Sequence, residues 1–322
     1  MTDIYNIYED PIIDETTERI LYRSYNPIAG TNLNSGEIRI TIDQSDFYLL
    51  PSKAFLLVEG KFTKSDGTAY SATDSATLTN NGIMHLFDRV VYQLSGNDVE
   101  SINSPGRAST MLGLLIYPYT FQSSKGLSQL CYKDYNSSAA ITGSNANIGF
   151  QIRQSWIVQN PTTPGKFSFR ISLKHIFGFC DDYNKVIYGP SQSLILMRSS
   201  DNNAIYRAST VAAGKVDVQK ISLYMPLVEP ESLQKDFLKN SRALKQDVKV
   251  AFRKRKLEFL AVPQTTTFCW TLTPISSFET PRYIIVGFQT SKEGDQTTNP
   301  SIFDHCDLKN MQIEISSNSK KS

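Results

Sequence analysis

Residues able to do chemistry are few and scattered in this 322-residue sequence. The three histidines are His85, His175 and His305, and no H-x-x-x-H or H-E-x-x-H pattern joins any two of them. A zinc protease needs such a pair one helical turn apart. The phosphate-binding G-x-x-x-x-G-K-[ST] loop and the G-x-S-x-G elbow of serine hydrolases are also missing. We therefore expect no catalytic residue, no cofactor and no metal, and we do not expect an enzyme.

An adjacent acidic pair, Asp181 and Asp182, follows Cys180. Two carboxylates can bind a metal or serve as acid and base, as in glycosidases. Neighbouring side chains point to opposite faces of a strand, however, and both usually face solvent on a turn. We therefore favour a solvated position for this pair. The same interpretation applies to His305 beside Asp304.

The sequence contains one dense basic run, which two hypotheses explain. It could be a nuclear-import signal or a patch that contacts nucleic acid, because clustered cations attract phosphate groups. It could instead be a strand with solvated charges beside buried Phe252, Leu257 and Phe259, and this second hypothesis is favoured. The run consists of Arg253, Lys254, Arg255 and Lys256.

Four tyrosines are clustered ahead of the first predicted strand. Tyrosine combines a flat apolar ring with a polar tip, which suits protein interfaces. This segment could therefore be an arm that lies against a neighbouring subunit. Equally, its later tyrosines could pack against the base of the chain's own barrel. The four residues are Tyr5, Tyr8, Tyr22 and Tyr25.

The overall composition is that of a globular protein with a substantial core, with 40% hydrophobic and 20% charged residues. A net charge of +2 excludes a globally basic nucleic-acid binder. No apolar run reaches the ~20 residues of a membrane helix, so we expect no membrane span. The acidic, polar start MTDIYNIYEDP predicts that there is no signal peptide. The cysteines are far apart and are expected to be free thiols: Cys131, Cys180, Cys269 and Cys306.

The elements that would position these residues are mainly β-strands. Short apolar and β-branched runs alternate with clusters of Gly, Asn, Ser and Asp, as in residues 37–43, where Ile38, Ile40 and Ile42 share one face. Eight strands with long connections predict a jelly-roll β-sandwich. Four more follow a helix. The predicted strands are 37–43, 54–63, 86–94, 98–102, 149–158, 166–173, 192–198, 216–225, 248–260, 266–273, 282–289 and 309–315.

Two helices and three long loops complete the predicted organisation. A helix is expected over 105–117, because Ser104 and Pro105 form a typical helix start and Met111, Leu112, Leu115 and Ile116 could form an apolar stripe. A second helix is expected over 230–246. Polar stretches rich in Ser, Thr, Asn and Gly predict long surface loops at 64–82, 132–147 and 290–301.

Five segments, in this order, resemble the major capsid proteins of polinton-like viruses, adintoviruses and virophages. The resemblance implies two jelly rolls in one chain and three chains in a pseudo-hexagonal capsomer. It covers nearly the whole chain beyond residue 20. The segments are GEIRITIDQSDFYLLPSKAFLLVEGKF (36–62), LFDRVVYQLSGNDVESINSPGRASTMLGLL (86–115), FGFCDDYNKVIYGPSQSLILMRSSDNNAIYRA (177–208), KISLYMPLVEP (220–230) and PRYIIVGFQTSKEGDQTTNPSIFD (281–304).

The resulting hypothesis is an all-β chain with two tandem jelly rolls, the second apparently incomplete because only about four strands follow the linker. We expect an N-terminal arm at 1–35, a first roll at 36–227, a linker helix at 228–247 and a partial second roll at 248–322. Such a chain would be a viral major capsid protein, made in the host cytoplasm, with or without import into the nucleus, and located in the virion. Its partners would be copies of itself, minor capsid or penton proteins, and at most non-specific nucleic acid. The alternative is a β-sandwich carbohydrate- or receptor-binding module of a spike, fibre or lectin.

Overall fold

The computed structural model describes residues 17–43, 46–143, 146–243, 248–272 and 281–312. Tyr5 and Tyr8 lie outside the described residues, as do the ends of the strands predicted at 266–273 and 309–315. No helix in the described ranges has both the length and the hydrophobicity needed to cross a membrane.

Two antiparallel sheets form the body of the fold. The first has the order β1-β11-β4-β8, with the short β3 also paired to β11, and the second has the order β2-β9-β6-β7. A small β10-β5 ladder stands apart from both. The strands are β1 (Thr17–Tyr25), β2 (Glu37–Ile42), β3 (Tyr48–Leu49), β4 (Phe55–Lys64), β5 (Ala76–Leu78), β6 (Phe87–Leu94), β7 (Asn97–Asn103), β8 (Lys166–Ser172), β9 (Gln192–Arg198), β10 (Ile205–Arg207) and β11 (Gly214–Pro230).

One apolar cluster fills the space between the sheets. It joins Ile38 and Leu196 of the second sheet to Leu56, Phe169 and Leu223 of the first. The chain passes repeatedly from one sheet to the other, with β2, β6, β7 and β9 in one and β4, β8 and β11 in the other. This is the predicted jelly-roll β-sandwich. Side chains alternate between the two faces of a strand, and the sequence predicted that Ile38, Ile40 and Ile42 share one face. All three are buried, which confirms this prediction.

Within the described residues, five α-helices lie in the connections and after the last strand. They are α1 (Pro105–Ile116), α2 (Ile148–Ile157), α3 (Leu173–Ile176), α4 (Gly178–Asp182) and α5 (Ser232–Ala243), and short 3-10 turns occur at Pro51–Lys53, Met84–Leu86, Tyr119–Phe121 and Lys125–Gln129. The predicted helix at 105–117 is confirmed, but Ser104 has a positive φ of 44° and its side chain makes no cap hydrogen bond. The expected apolar stripe is also wrong in part, because Leu115 and Ile116 are 65% and 60% exposed.

The strand predicted at 149–158 is wrong, because these residues form α2. The Asn147 side chain caps the helix by accepting a hydrogen bond from the backbone N–H of Phe150. Besides Gly149, four buried residues follow helical spacing: Phe150, Arg153, Gln154 and Ile157. Two of these four are polar. If Arg153 and Gln154 are assumed to be exposed, the remaining apolar residues alternate as they do in a strand. The pattern therefore predicted a strand instead of a helix.

Segments expected to lack strands also contain them. Residues 17–25 of the predicted arm form β1, which pairs antiparallel with β11 from Thr17–Pro230 to Tyr25–Leu223. Within the predicted surface loop 64–82, the strand β5 is completely buried. The strand β11 continues to Pro230, beyond the expected end near residue 225, and α5 follows at once. The division of the chain into two rolls at 227 and 248 stays a prediction.

The strands predicted after α5 are wrong within the described residues. Over 248–272 and 281–312 the only backbone pairing of the strand type is an isolated bridge between Phe288 and Asp304. The apolar residues meant for the strand at 282–289 remain exposed, including Ile284, Ile285 and Val286. An alternating pattern favours a strand only when a neighbouring strand can bond to it. Here the described part of the chain provides no such neighbour.

Candidate functional site

The basic run predicted as a functional element lies in an extended segment that we name the strap (residues 248–260). The strap lies against the middle of β7 and against α4, where three carboxylates form the acidic seat: Glu100, Asp181 and Asp182. The strap is not a strand of either sheet. Of its expected buried neighbours, Phe252 is half-buried and meets Phe179 edge-on at 5.2 Å, whereas Phe259 is 53% exposed.

Glu100 is the buried centre of the acidic seat, with 2% of its surface exposed. Its carboxylate accepts hydrogen bonds from the backbone N–H of Gly178 at 3.1 Å, of Phe179 at 2.9 Å and of Arg255 at 2.8 Å. Burial raises the pKa of Glu100 above its ordinary value, although the three N–H donors and the Arg255 charge oppose the rise. A single carboxylate thus joins β7, α4 and the strap.

Two ion pairs hold the strap on either side of Glu100. Arg253 donates to Asp182 through both its backbone N–H and its guanidinium Nε, each at 2.8 Å. The hydrogen bonds from Arg253 lower the pKa of Asp182 below its usual range. Arg255 donates to Asp181 at 2.9 Å and to the carbonyl of Ile176 at 3.0 Å. The two acidic residues considered for metal or acid–base chemistry therefore bind arginines of the same chain.

The remaining two members of the basic run are Lys254 and Lys256. Lys256 forms an ion pair with Glu258. The structure thus brings the run together with the acidic pair that sequence reasoning treated separately. A role of the run toward nucleic acid or nuclear import stays a prediction. No sequence signal connects Glu100 to either group, because it lies 155 positions from Arg255.

The two described tyrosines of the predicted arm lie on β1, which pairs with β11 of the same chain. The Tyr22 ring is 48% exposed and lies 5.7 Å from the Phe55 ring. Tyr25 is partly buried against the core, and burial raises its pKa. An inter-subunit role of the arm stays a prediction.

A second contact anchors the distal part of the chain through a buried ion pair. The side chains of Arg153, in α2, and Asp134 are both fully buried, with Nη2 of the arginine 2.8 Å from Oδ1 of the carboxylate. The other Asp134 oxygen accepts a hydrogen bond from the Asn299 amide at 2.8 Å. Asn299 is itself 2% exposed. The predicted surface loop at 290–301 is therefore wrong in this part, because Asn299 and Ser301 are buried beside Asp134.

Gln296 provides a third anchor from the same loop. Its side-chain amide donates to the carbonyl of Gly214 at 2.9 Å and accepts from the N–H of Gly214 at 2.8 Å. Its own backbone carbonyl accepts from the N–H of Arg207 at 2.9 Å. The glutamine thus imitates a short strand at the beginning of β11. Such a role has no signature in the sequence.

The histidines and cysteines form no reactive centre among the described residues. His175 and Cys131 both line a cavity of about 110 Å³ beside Tyr117 and Phe121. Burial lowers the pKa of His175 to about 4 and raises the pKa of Cys131 to about 12. At neutral pH the imidazole is therefore uncharged and the thiol protonated, so neither is an activated nucleophile. All four cysteines are free thiols.

Comparison with known families assigns the architecture. Residues 76–321 match the family described as the double jelly roll-like domain. This chain belongs to the double jelly roll-like domain family. The match includes both the sandwich from β5 onward and the described segments after α5, although the latter contain no strand ladder. No curated protein matches the sequence.

Several solved structures are similar to this double jelly roll-like chain. A chain of the Sputnik virophage, determined by cryo-EM at 3.5 Å, has a TM-score of 0.50 and 12% identity over 71% of this chain and 51% of its own. The Faustovirus major capsid protein has a TM-score of 0.45 and 11% identity, covering 74% and 58%. For the mavirus major capsid protein the values are 0.34 and 13%, covering 70% and 49%. The chain spans about half the length of the solved structures that it matches.

Proposed function

We propose that this chain is a structural protein of a viral shell, a major capsid protein that assembles as pseudo-hexagonal trimers in an icosahedral capsid. The observation that carries the proposal is the jelly-roll sandwich, which is similar to a chain of a virophage particle over 71% of its length. Membership of the double jelly roll-like domain family supports it. In this proposal the protein acts through the surfaces by which its copies contact one another and assemble into a shell.

Exposed apolar residues support a role in assembly. At the end of α1 and in the turn after it, Leu115, Ile116 and Tyr119 are 65%, 60% and 69% exposed. After α5, Tyr283 and Ile285 are 69% and 43% exposed. Large apolar side chains exposed in groups along the chain favour a contact with another molecule. In the proposed shell a neighbouring copy covers it.

The proposal also assigns location and partners. The protein would reside in the virion, after synthesis in the host cytoplasm and with or without passage through the nucleus. Its principal partner would be a second copy of itself, and minor capsid or penton proteins would join the shell at other positions. The described helices include none that could span a membrane, and the proposal requires no membrane insertion.

The experiment is to measure the mass of the purified chain by light scattering after size-exclusion chromatography and to image it by negative-stain microscopy. We expect trimers and roughly hexagonal threefold particles. The double variant Leu115→Asp/Ile116→Asp should weaken the oligomer because it places charges on the exposed apolar surface. The control Ser123→Asp adds a charge to an exposed position near the same helix and should leave the mass unchanged. A wild-type chain that stays monomeric at high concentration and binds a glycan would overturn the proposal.

A further inference from the structure

The positive charge of the basic run is balanced by carboxylates that lie close to it in the structure. Its four cations lie beside four carboxylates, three in the acidic seat and one on the strap itself. Arg253 pairs with Asp182, Arg255 with Asp181, and Lys256 with Glu258. A run that would otherwise attract polyanions is therefore paired with acids of the same chain.

The pairing depends on the position of the strap. Arg253 is bound to Asp182 by its backbone as well as by its guanidinium group. The backbone N–H of Arg255 reaches the buried Glu100, and its guanidinium group also binds the carbonyls of Lys174 and Ile176. If the strap leaves the acidic seat, these contacts are lost together, because one extended segment carries them all. Release of the strap would therefore be a single event that frees the whole acidic seat.

A side chain as small as a methyl group at position 178 would clash with the docked strap. A Cβ atom on this glycine would lie 1.8 Å from the carbonyl oxygen of Arg253, far inside van der Waals contact. Its next neighbours are the Arg253 carbonyl carbon at 3.1 Å and Glu100 Oε1 at 3.4 Å. The backbone of Gly178 is not in the left-handed region, so alanine fits it without strain. The severe overlap is therefore with the strap alone.

We propose that the acidic seat masks a nucleic-acid-binding segment, and that release of the strap exposes the basic run to phosphate groups. In the docked state the guanidinium groups are engaged by Asp181 and Asp182. In the released state Arg253 and Arg255 lose these carboxylates, and Arg255, whose side chain is 19% exposed when docked, joins three cations that are already exposed. Arginine and lysine bind phosphate oxygens through charge-assisted hydrogen bonds, without reading base sequence. This proposal does not depend on the capsid function.

The first test is Gly178→Ala in the full-length chain, which displaces the strap without changing the net charge. Strap release is measured as trypsin cleavage after residues 253–256, since trypsin cuts after arginine and lysine. Binding is measured by fluorescence anisotropy of a labelled DNA duplex. We expect faster cleavage and at least about tenfold tighter DNA binding at low salt. With four phosphate contacts the gained affinity should fall about 100-fold between 50 and 200 mM salt.

The second test removes the acids. Asp181→Asn/Asp182→Asn should strengthen DNA binding, whereas the charge-matched control Asp98→Asn/Asp217→Asn, at two exposed carboxylates, should change it far less. Replacing the four basic residues by glutamine in the Gly178→Ala background should abolish the gain. Faster cleavage with unchanged DNA affinity would overturn the proposal, as would equal gains for the two double variants. Trimer formation is measured separately, so failure of this proposal is distinguishable from failure of the capsid proposal.

Discussion

The sandwich of residues 17–230 and the segments after α5 are held in place by different forces. In the sandwich, two antiparallel sheets share one apolar cluster, and most of the buried side chains are hydrophobic. The described residues 248–272 and 281–312 have no ladder, and apart from Phe252 on Phe179 the anchors described above are polar: Arg255 on Glu100, Asn299 on Asp134 and Gln296 on Gly214.

The difference shows what each kind of contact can do. Apolar burial is large but non-directional, so it stabilises a layered fold in which the ladders set the register. Buried hydrogen bonds add little net stability, but they are directional and costly to leave unpaired. They can therefore fix one position for a segment that has no strand partner. We expect the two regions to respond differently to substitution.

The largest effect is expected at the buried ion pair that links the regions. Asp134→Ala leaves the Arg153 guanidinium buried without its carboxylate and also removes the partner of Asn299. We expect a loss of about 3–5 kcal/mol in the free energy of unfolding, measured by urea titration. Asp98→Asn breaks an exposed ion pair with Arg89 and should change stability by at most about 1 kcal/mol. Equal losses in both variants would contradict this account of the anchor.

The next effect contrasts two apolar residues of the two regions. Leu196 of β9 is fully buried, whereas Val286 is 40% exposed. Leu196→Ala should cost about 2–5 kcal/mol, because it removes buried methyl groups and leaves a cavity. Val286→Ala should stay within about 0.5 kcal/mol in the monomeric chain. If the valine variant were as destabilised as the leucine variant, the distal region would have a core of its own.

Acid should destabilise the sandwich through His85, which is buried beneath Gly106 of α1. Burial, together with the Arg107 charge, lowers its pKa to about 3 from 6.5. Between these values the unfolded chain binds more protons, so stability falls as the pH falls below about 6.5, by about 1.4 kcal/mol per pH unit at most. Urea midpoints between pH 7 and 4.5 measure the loss.

Two variants separate this effect from general acid unfolding. His85→Gln should flatten the pH dependence by about 2–3 kcal/mol at pH 4.5, because the group that titrates is gone. His305→Gln should have no such effect, since the His305 side chain is 88% exposed. A profile that is unchanged in His85→Gln would show that other groups control acid stability.

The smallest expected effect is local. Gln296→Ala removes the amide that bonds both backbone groups of Gly214, and it should cost about 1–3 kcal/mol. Hydrogen exchange should show lost protection around the 290–304 loop while the central strands β6 and β9 keep theirs. Loss of protection throughout the sandwich would mean that the loop and the sandwich unfold as one unit.

The strands of the sandwich were predictable where one face of the strand is buried and the other is exposed to solvent. In β2 and β8 every second residue is buried, so hydrophobic periodicity alone identifies both elements and their inner faces. The same rule failed at α2, where buried Arg153 and Gln154 occupy the inner face. It failed again at 282–289, where the apolar alternation is present but the described chain offers no strand to pair with it.

The candidate site was predictable only in part. The density of positive charge identified the basic run, and the acidic pair was noticed as an isolated feature. Their contact was not predictable, because 71 positions separate Asp182 from Arg253. The anchoring roles of Glu100, Asp134 and Gln296 were not predictable, because the residue type alone does not show whether a polar side chain is buried.

The sequence by itself determined the all-β class, the alternating faces of the sandwich strands and the helix after β11, because these depend on local periodicity and on turn and helix-start residues. Only the tertiary structure decided which polar residues are buried and which charges pair. Those outcomes depend on the distance between residues that are remote in the chain. A carboxylate such as Glu100 becomes an anchor only when folding brings the N–H groups of α4 and the strap to its oxygens.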